Sequence, residues 1–293
     1  MTSPPDTSDR TVPSTGLHGP DTARTNTTQG RRTPAIARGA AVATCWVSLW
    51  QIATTLSVHP YFPTPLRIAR SAVDLWFSGP PAHLLLTDQV LHDVLPSLGR
   101  LVLGWSAAAA LGVILGVGLG RSRYAYDYLR VPLTLARALP QPLLVPVLLV
   151  LFGLGPSLTV ACIVLGVIWP VLLNAMDGAR DIDPALSDTL RVARIGRTRW
   201  VLHIVVPAAA PRIFTGLRIS LSIALILMVV SELVGSTNGI GYRLSIAQAT
   251  FDLPAMWAWI CLLSALGYGL NRLLLLAQHR VLAWHPRLGQ GTT

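Results

Sequence analysis

Residues 188–213, DTLRVARIGRTRWVLHIVVPAAAPRI, separate two apolar runs that are each long enough to cross a membrane. The stretch places five arginines among regularly spaced apolar residues and contains two prolines near its end. Just before it, Asp183 and Pro184 form a helix start signal, because a capping side chain is followed by proline at the first helical position. Gly196 is a typical helix end, and Pro207 is expected to force the chain out of helix before the fifth span. We therefore predict that residues 178–212 form a helical hairpin outside the bilayer, apolar on one side and basic on the other.

The composition is that of a protein with many membrane spans. Hydrophobic residues make up 52% of the 293 residues and charged residues only 12%, whereas soluble domains carry about 25% charged residues. All 23 basic residues are arginine, and a P-loop needs a lysine to reach nucleotide phosphates. The chain therefore cannot be a P-loop ATPase by itself. Its arginines lie between the apolar runs, which indicates topology signals rather than a nucleic-acid partner, and its three scattered cysteines predict no metal site.

Six apolar segments predict an all-α integral membrane protein with about six transmembrane helices. Each segment approaches the ~20 residues that a helix needs to cross the hydrocarbon core, although the third is short. A Gly-Pro break separates the third segment from the fourth, which predicts a tight hairpin. The six segments are residues 36–58, 98–119, 139–154, 158–176, 213–234 and 255–277.

These spans divide the chain into five regions. Residues 1–34 are rich in Ser, Thr, Pro and Gly, which predicts a disordered cytoplasmic tail. Residues 61–97 form an external segment, in which a short amphipathic helix in the membrane interface and a plain surface loop fit the pattern equally well. The other regions are the first transmembrane helix, a core that contains the cytoplasmic loop 178–212, and a C-terminal cytoplasmic tail, at residues 35–60, 98–280 and 281–293.

The distribution of arginines predicts the orientation, since cytoplasmic loops carry an excess of positive charge. With the N-terminus inside, nineteen of the 23 arginines lie on or near the cytoplasmic side. The other four are Arg67, Arg70, Arg100 and Arg243. Both termini are therefore predicted to be cytoplasmic.

Small residues recur every four positions in the second span, at Gly112, Gly116 and Gly120. Residues this small let another helix approach closely, and close packing drives the association of helices in membranes. We expect these three glycines to lie in a helix–helix contact.

The apolar side of the predicted hairpin must be covered, either by lipid of the inner leaflet or by the groove of a partner protein. The segment resembles the cytoplasmic EAA loop of binding-protein-dependent ABC importer permeases, whose pattern is Glu-Ala-Ala, three residues, Gly, nine residues and Ile-x-Leu-Pro. With Pro207 on the family proline, Ile204 takes the place of the isoleucine and Asp188 that of the glutamate. The family glycine falls on Arg194, whereas this chain has Gly196 two residues later. We therefore expect either a shifted turn or a longer first helix.

Downstream, residues 207–244, PAAAPRIFTGLRISLSIALILMVVSELVGSTNGIGYRL, resemble the sulfonate/taurine/nitrate branch of these permeases. That branch shows Pro-x-x-x-Pro, then Gly-x-Arg, a Glu near the outer end of the next span, and Gly-x-Gly-Tyr. The resemblance covers roughly residues 60–286. The matching residues are Pro207, Pro211, Gly216, Arg218, Glu232, Gly239, Gly241 and Tyr242.

The resemblance implies a type I ABC importer permease bundle that moves a small solute, such as a sulfonate, taurine or nitrate, across the bacterial cytoplasmic membrane. Such permeases have no catalytic residue and no cofactor of their own. They dimerise, separate ATPase subunits bind ATP and Mg²⁺, and an extracytoplasmic solute-binding protein delivers the solute. The helical loop 184–207 would dock in a cleft of the ATPase. Its expected coupling residues are Asp188, Leu190, Ala193, Gly196, Trp200, Ile204 and Pro207.

Three polar residues in or beside the spans are candidates for the solute path or its gate. A carboxylate inside a membrane costs about 3 kcal/mol or more and usually faces a cavity or a partner. Glu232 is therefore expected to take part in the solute path or in a gate ion pair with Arg243, or else to be solvated at headgroup level. Gln141 lies where a broken helix would start, and irregular backbone at membrane depth is tolerated only against protein or water. Asn174 either lines the path or meets water at the inner end of its span.

Two other classes of protein stay open. An ion-coupled secondary transporter usually needs several acidic residues within its spans or inverted repeats, and Glu232 is the only firm candidate here. A membrane-embedded enzyme needs His, Asp or Ser clustered at one depth, and the spans contain no such cluster. Both patterns favour the importer permease.

Overall fold

The computed structural model describes four stretches of the chain, residues 35–57, 61–80, 87–181 and 196–283. The chain divides into two compact units, Met1–Ser48 and Leu49–Thr293. In the first unit, the described residues 35–48 are helical. The predicted N-terminal tail, residues 1–34, lies outside the described residues.

Helices are the only regular elements among the described residues, as the composition predicts. A π-helical turn, Val90–Val94, leads into the third α-helix, another, Val201–Val205, leads into the eighth, and a 3₁₀ turn, Gln141–Leu143, leads into the fifth. The α-helices are α1 (Ala35–Leu56), α2 (Pro65–Trp76), α3 (Leu95–Gly120), α4 (Arg123–Arg137), α5 (Leu144–Phe152), α6 (Pro156–Arg180), α7 (Arg197–Trp200), α8 (Val206–Gly235), α9 (Ile240–Ala249) and α10 (Leu253–Val281).

Helix α6 forms the centre of the bundle and packs against both α3 and α8. Gly104 of α3 lies against Ile163, and Gly120 lies against Ala179, so α3 and α6 run parallel. Helix α8 runs in the opposite direction, because Gly235 at its end lies against Leu158 near the start of α6. More than half of the most apolar stretch of α6 is buried, which fits a helix enclosed by its neighbours.

The glycines of α3 allow its close approach to α6. A Cβ atom on Gly112 would lie 2.9 Å from Cβ of Val171. A Cβ atom on Gly116 or Gly120 would overlap a backbone carbonyl oxygen, that of Leu172 or Met176. The three glycines singled out in the sequence thus line one face of α3, in direct contact with the α6 backbone, where packing holds membrane helices together.

Five helical segments of the described residues are long and apolar enough to cross a membrane, and a bent pair makes a sixth. The prediction of an all-α protein with about six spans is therefore confirmed in class and number. The five single spans are Ala37–Leu56, Val90–Gly120, Pro156–Arg180, Thr198–Gly235 and Leu253–Val281.

The third predicted span, residues 139–154, is too short to cross the membrane alone and forms one arm of the bent pair. Its helical part is Gln141–Phe152, a 3₁₀ turn followed by the nine residues of α5, and it follows α4 across a bend of 73°. The physical reason lies in Pro140 and Pro142, which remove two backbone donors and force the chain out of α-helix. Since α3 and α6 run parallel, residues 121–155 must bring the chain back to the other end of the bundle, and the bent pair does so.

The predicted break at Pro207 is wrong. Helix runs without interruption from Thr198 to Gly235, over 38 residues, or about 57 Å at 1.5 Å per residue. Pro207 stands in the first turn of α8, where its missing N–H would otherwise bond to a carbonyl four residues back. The π-helical turn Val201–Val205 widens the helix at this point and accommodates the ring.

The external segment contains a helix, α2, rather than only a loop. Thr64 caps it by accepting a hydrogen bond from the backbone N–H of Arg67, and Pro65 opens it, as expected for a helix start. Ile68 is buried, and Trp76 packs edge-on against Trp259 of α10 at 5.9 Å between ring centroids. Helix α2 is therefore tied to the bundle through its apolar side.

Candidate functional site: the two ends of helix α8

The Gly235 end of α8 carries a buried carboxylate, Glu232. Its side chain is 0% exposed and forms an ion pair with the guanidinium of Arg100 on α3, at 2.8 Å. Ser97 Oγ lies 2.8 Å from the same carboxylate oxygen, and the backbone N–H of Gly241 donates to the other at 3.0 Å. The carboxylate is thus fully hydrogen-bonded, as a charge away from water must be.

A second buried carboxylate, Asp93, lies beside the first. Its Oδ2 accepts from Nε of Arg243 at 2.6 Å, and its Oδ1 accepts from the backbone N–H of Gly239 at 3.0 Å. Arg100 also donates to the side-chain oxygen of Asn238. Two carboxylates and two guanidinium groups therefore balance in charge. We call these six side chains the polar clasp: Asp93, Ser97, Arg100, Glu232, Asn238 and Arg243.

The clasp needs glycine in the turn between α8 and α9. Gly239 has φ of +124°, a conformation that L side chains rarely adopt. A Cβ atom there would lie 2.5 Å from Oε2 of Glu232, and one on Gly241 would lie 2.7 Å from Cβ of Glu232. The two glycines let the backbone N–H groups reach the carboxylates, which explains the Gly-x-Gly spacing seen in the sequence.

The structure corrects the expected surroundings of Glu232. Its ion-pair partner is Arg100, whereas Arg243 pairs with Asp93. Solvation at headgroup level is also wrong, because the carboxylate is sealed by protein. Arg100 was missed as a partner since its sequence distance from Glu232 is large. The available signal was Ser97-x-x-Arg100, a polar i, i+3 pair on one face of an otherwise apolar helix.

At the Thr198 end of the continuous helix Thr198–Gly235, Trp200 is half-buried and packs against the bundle. The guanidinium carbon of Arg121 lies 4.1 Å from the centroid of a Trp200 ring, a cation–π arrangement. The ring also packs against a buried apolar cluster that contains Ala175 and Val205. Leu202, by contrast, is 58% exposed, so the segment has one side against the bundle and one side free.

The remaining coupling residues divide between described and undescribed segments. Asp188, Leu190 and Ala193 lie outside the described residues, and so does the first helix of the predicted hairpin. The carbonyl of Gly196 accepts the N–H of Trp200 at 3.0 Å, so Gly196 precedes the second helix as its cap. Ile204 is half-buried in the π-helical turn, and Pro207 opens α8.

The other solute-path candidates lie apart from the clasp. Gln141 packs beside Gly166 of α6, where a Cβ atom would lie 3.3 Å from Cγ of Gln141. Asn174 donates to the carbonyl of Pro170 at 2.7 Å, and its Cβ faces Gly216 of α8. Both residues occupy helix contacts, and their part in a solute path stays a prediction.

Several curated transport proteins are similar to this chain over most of its length. A putative aliphatic sulfonates transport permease protein of Bacillus subtilis is 28% identical, with 87% of this chain and 90% of that protein covered. The taurine transport system permease protein of Escherichia coli is 26% identical, with 84% and 87% covered. A nitrate import permease protein of Synechocystis is 28% identical, with 71% and 76% covered.

A solved structure has the same fold. A chain of the MetNI methionine ABC transporter, in an inward-facing form, matches with a TM-score of 0.55 at 18% identity, with 65% of this chain and 94% of that chain covered. The model of one protein family matches residues 108–282, the larger part of the chain, and is described as binding-protein-dependent transport system inner membrane component. The chain therefore belongs to the family of binding-protein-dependent transport system inner membrane components.

Proposed function

We propose that this chain is the permease subunit of an ATP-driven importer that carries a small solute, a sulfonate, taurine, nitrate or a related compound, across the cytoplasmic membrane. Members of this family are transport subunits rather than enzymes. The relatives named for sulfonate, taurine and nitrate transport support this class of solute. Each of them is similar over more than two thirds of its own length.

One observation carries the mechanism: the described part of the predicted loop 184–207, which we call the coupling segment, and the polar clasp lie at the two ends of one continuous helix, Thr198–Gly235. The segment begins beside Gly196 and continues through the π-helical turn into α8, which ends at the clasp. A helix without a break transmits displacement along its axis, because every turn is hydrogen-bonded to the next. Movement of the coupling segment by a partner would therefore reach the clasp.

The partner that moves this segment is a separate ATPase, which binds ATP and Mg²⁺. The exposed side of the segment, including Leu202, offers the docking contact, together with the predicted first helix of the loop 184–207. An apolar residue on a helix outside the membrane fits docking in a protein groove. Closure of the ATPase around nucleotide would rock α8 as a rigid body and open the solute path to alternate sides.

The arginine distribution predicts the orientation of the chain in the membrane. Positive-inside counting places both termini and the coupling segment in the cytoplasm, and the polar clasp then lies at the extracytoplasmic end. A solute-binding protein would deliver solute at that end. A second copy of the chain, forming a homodimer, would complete the path on the other side.

Uptake in the native host tests this function against an ion-coupled transporter. Cells with the chain deleted should lose uptake of one of three radiolabelled or isotopically labelled solutes, taurine, ethanesulfonate or nitrate, and a plasmid copy should restore it. Depletion of ATP should abolish uptake while an imposed ion gradient is maintained. Uptake that follows the ion gradient and persists without ATP would contradict the proposal.

A further inference from the structure

A polar pocket of about 580 Å³ lies between α8 and α10. Helix α8 contributes Thr215, Arg218 and Ser222, which are spaced so that they share one face. Helix α10 contributes Tyr268 and Asn271. The volume suits a small solute, and the pocket contains none of the predicted site residues.

The pocket lies further along the helix axes, toward the middle of the spans, than the charged ends of the helices. Arg121 donates to the carbonyl of Ala179 at 3.4 Å, and Arg212 pairs with Asp181, so these arginines mark one level. Arg218 stands six residues further along α8 than Arg212, which is about 9 Å along the axis. Arginine counting places Arg218 on or near the cytoplasmic side, although it lies within the predicted fifth span, residues 213–234.

Among the described residues, three polar side chains of this pocket have no partner, whereas the hydroxyl of Thr215 donates to the carbonyl of Pro211 at 3.0 Å. Arg218 and Ser222 are exposed and Asn271 is half-buried, and none of the three side chains forms a hydrogen bond or ion pair with another described residue. Ser222 lies about 6 Å further along the axis of α8 than Arg218. A charge inside a span faces a water-filled cavity or a partner rather than lipid tails. A polar face that continues beyond Arg218 therefore points to water at this depth.

We infer that this pocket is the part of the solute path that holds an oxyanion, with Arg218 as its cationic group. This inference rests on the proposed function and specifies its site. A guanidinium presents two parallel N–H donors that match the oxygens of a sulfonate or nitrate. The hydroxyl of Ser222 and the amide of Asn271 supply further donors around the same space.

The same oxyanion chemistry has a second source, the phosphate of a lipid headgroup. An arginine side chain can extend toward the membrane surface from one or two turns within a span. In that case Arg218 would bind lipid phosphate, and water would not reach Ser222. Accessibility of position 222 to charged reagents in water therefore separates the two sources.

The test uses a chain in which Cys45, Cys162 and Cys261 are replaced by alanine and Ser222→Cys is introduced. The full chain is reconstituted in phospholipid nanodiscs and, in parallel, in phosphate-free maltoside micelles. Two water-soluble methanethiosulfonates are compared, one with a sulfonate group and one with a trimethylammonium group. The rates are normalised to those of a small free thiol. Ile114→Cys is the matched control, because Ile114 is 68% exposed on α3 at the level of Gly112 and Gly116.

Ser222→Cys should react in both media, and the anionic reagent should be favoured over the cationic one. Arg218→Gln should lower this preference at least about tenfold, while Arg218→Lys should retain most of it. Ethanesulfonate or nitrate should slow the anionic reagent more than gluconate does at equal ionic strength. Ile114→Cys should stay unreactive in nanodiscs.

Three results would overturn the inference. Ser222→Cys that is inert in both media would place the pocket under protein or lipid tails. Reaction in micelles but not in nanodiscs would assign the pocket to lipid phosphate. If Ser222→Cys reacts equally with the anionic and the cationic reagent while Arg218 is present, the pocket contains water but is not an oxyanion site. The assay needs no ATPase. If the pocket is anion-selective but the chain binds no ATPase, the proposed function is refuted and the oxyanion site stands.

Discussion

The guanidinium of Arg100 lies 2.8 Å from the carboxylate of Glu232, and the two side chains are only 7% and 0% exposed. This pair joins the beginning of α3 to the end of α8 at a point that water does not reach. Buried pairs of this kind add little stability over an apolar pair of similar shape, but removal of one partner leaves an uncompensated charge. The pair therefore fixes which helix ends lie together.

Glu232→Gln should destabilise the protein strongly, because it leaves Arg100 charged and buried. We expect the free energy of unfolding to fall by about 3–5 kcal/mol, measured by denaturant titration in mixed micelles. Replacement of both residues by apolar ones of similar size should cost less than either single change, since no charge is then left unpaired.

The matched control is Arg212→Gln, which removes an ion pair with Asp181 in which both side chains are 53% exposed. Its effect should stay below about 1 kcal/mol. Equal effects of Glu232→Gln and Arg212→Gln would show that the polar clasp has no special role in the fold.

Gly116→Ala should separate α3 from α6. The added Cβ would overlap the carbonyl oxygen of Leu172, and a backbone atom cannot move aside as a side chain can. We expect a loss of about 1–3 kcal/mol in the free energy of unfolding. Gly118→Ala, on the same helix but with no atom within 4 Å of the new Cβ, should be neutral or stabilising. The opposite order would refute the glycine contact.

Gly239→Ala tests the turn that closes the polar clasp. The substitution places alanine in a backbone conformation, φ of +124°, that is strained for it. The new Cβ would also lie 2.5 Å from the carboxylate of Glu232. Gly153→Ala also forces a positive φ, +69°, but meets no atom within 4 Å, so it measures backbone strain alone. The melting temperature should fall further for Gly239→Ala than for Gly153→Ala. A similar fall for both would mean that the collision with Glu232 is relieved at no cost.

Trp200 should act in folding, although the sequence resemblance predicts an ATPase contact. Its ring packs against the α3–α6 pair and under Arg121, so Trp200→Ala should cost about 1–3 kcal/mol, less than a fully buried aromatic. Leu202→Ala should change stability by about 0.5 kcal/mol or less, as for other exposed positions. Thermal denaturation of the two variants distinguishes these roles, and a larger loss for Leu202→Ala would reverse the assignment.

The class of the fold follows from apolar runs, because each span must satisfy its backbone within one helix. Helix–helix contact at Gly112, Gly116 and Gly120 follows from the same local rules. Pro207 was the main source of error. Pro140 and Pro142 break a span, whereas Pro207 does not. The difference depends on a π-helical turn, which no residue type in the sequence predicts.

The polar clasp depends on contacts that a single sequence does not specify. Arg100 and Glu232 are 132 residues apart, and Asp93 and Arg243 are 150 apart. Each carboxylate has several arginines at plausible depths, so the pairing is set by the packing of α3, α8 and α9. The Gly-x-Gly spacing at Gly239 is visible in the sequence. Only the structure shows its reason, which is that the N–H groups of Gly239 and Gly241 reach the two carboxylates.

The central claim, that a separate ATPase drives this chain through the coupling segment, is tested most directly by purification of the tagged chain from its native host in mild detergent. Mass spectrometry should find a P-loop ATPase at a ratio near one to one. Leu202→Asp and Leu190→Asp should lose the ATPase. Phe251→Asp, the same kind of change at a residue that is 76% exposed in the turn between α9 and α10, should keep it. A chain that purifies without an ATPase, or that keeps it equally in all three variants, would contradict the claim.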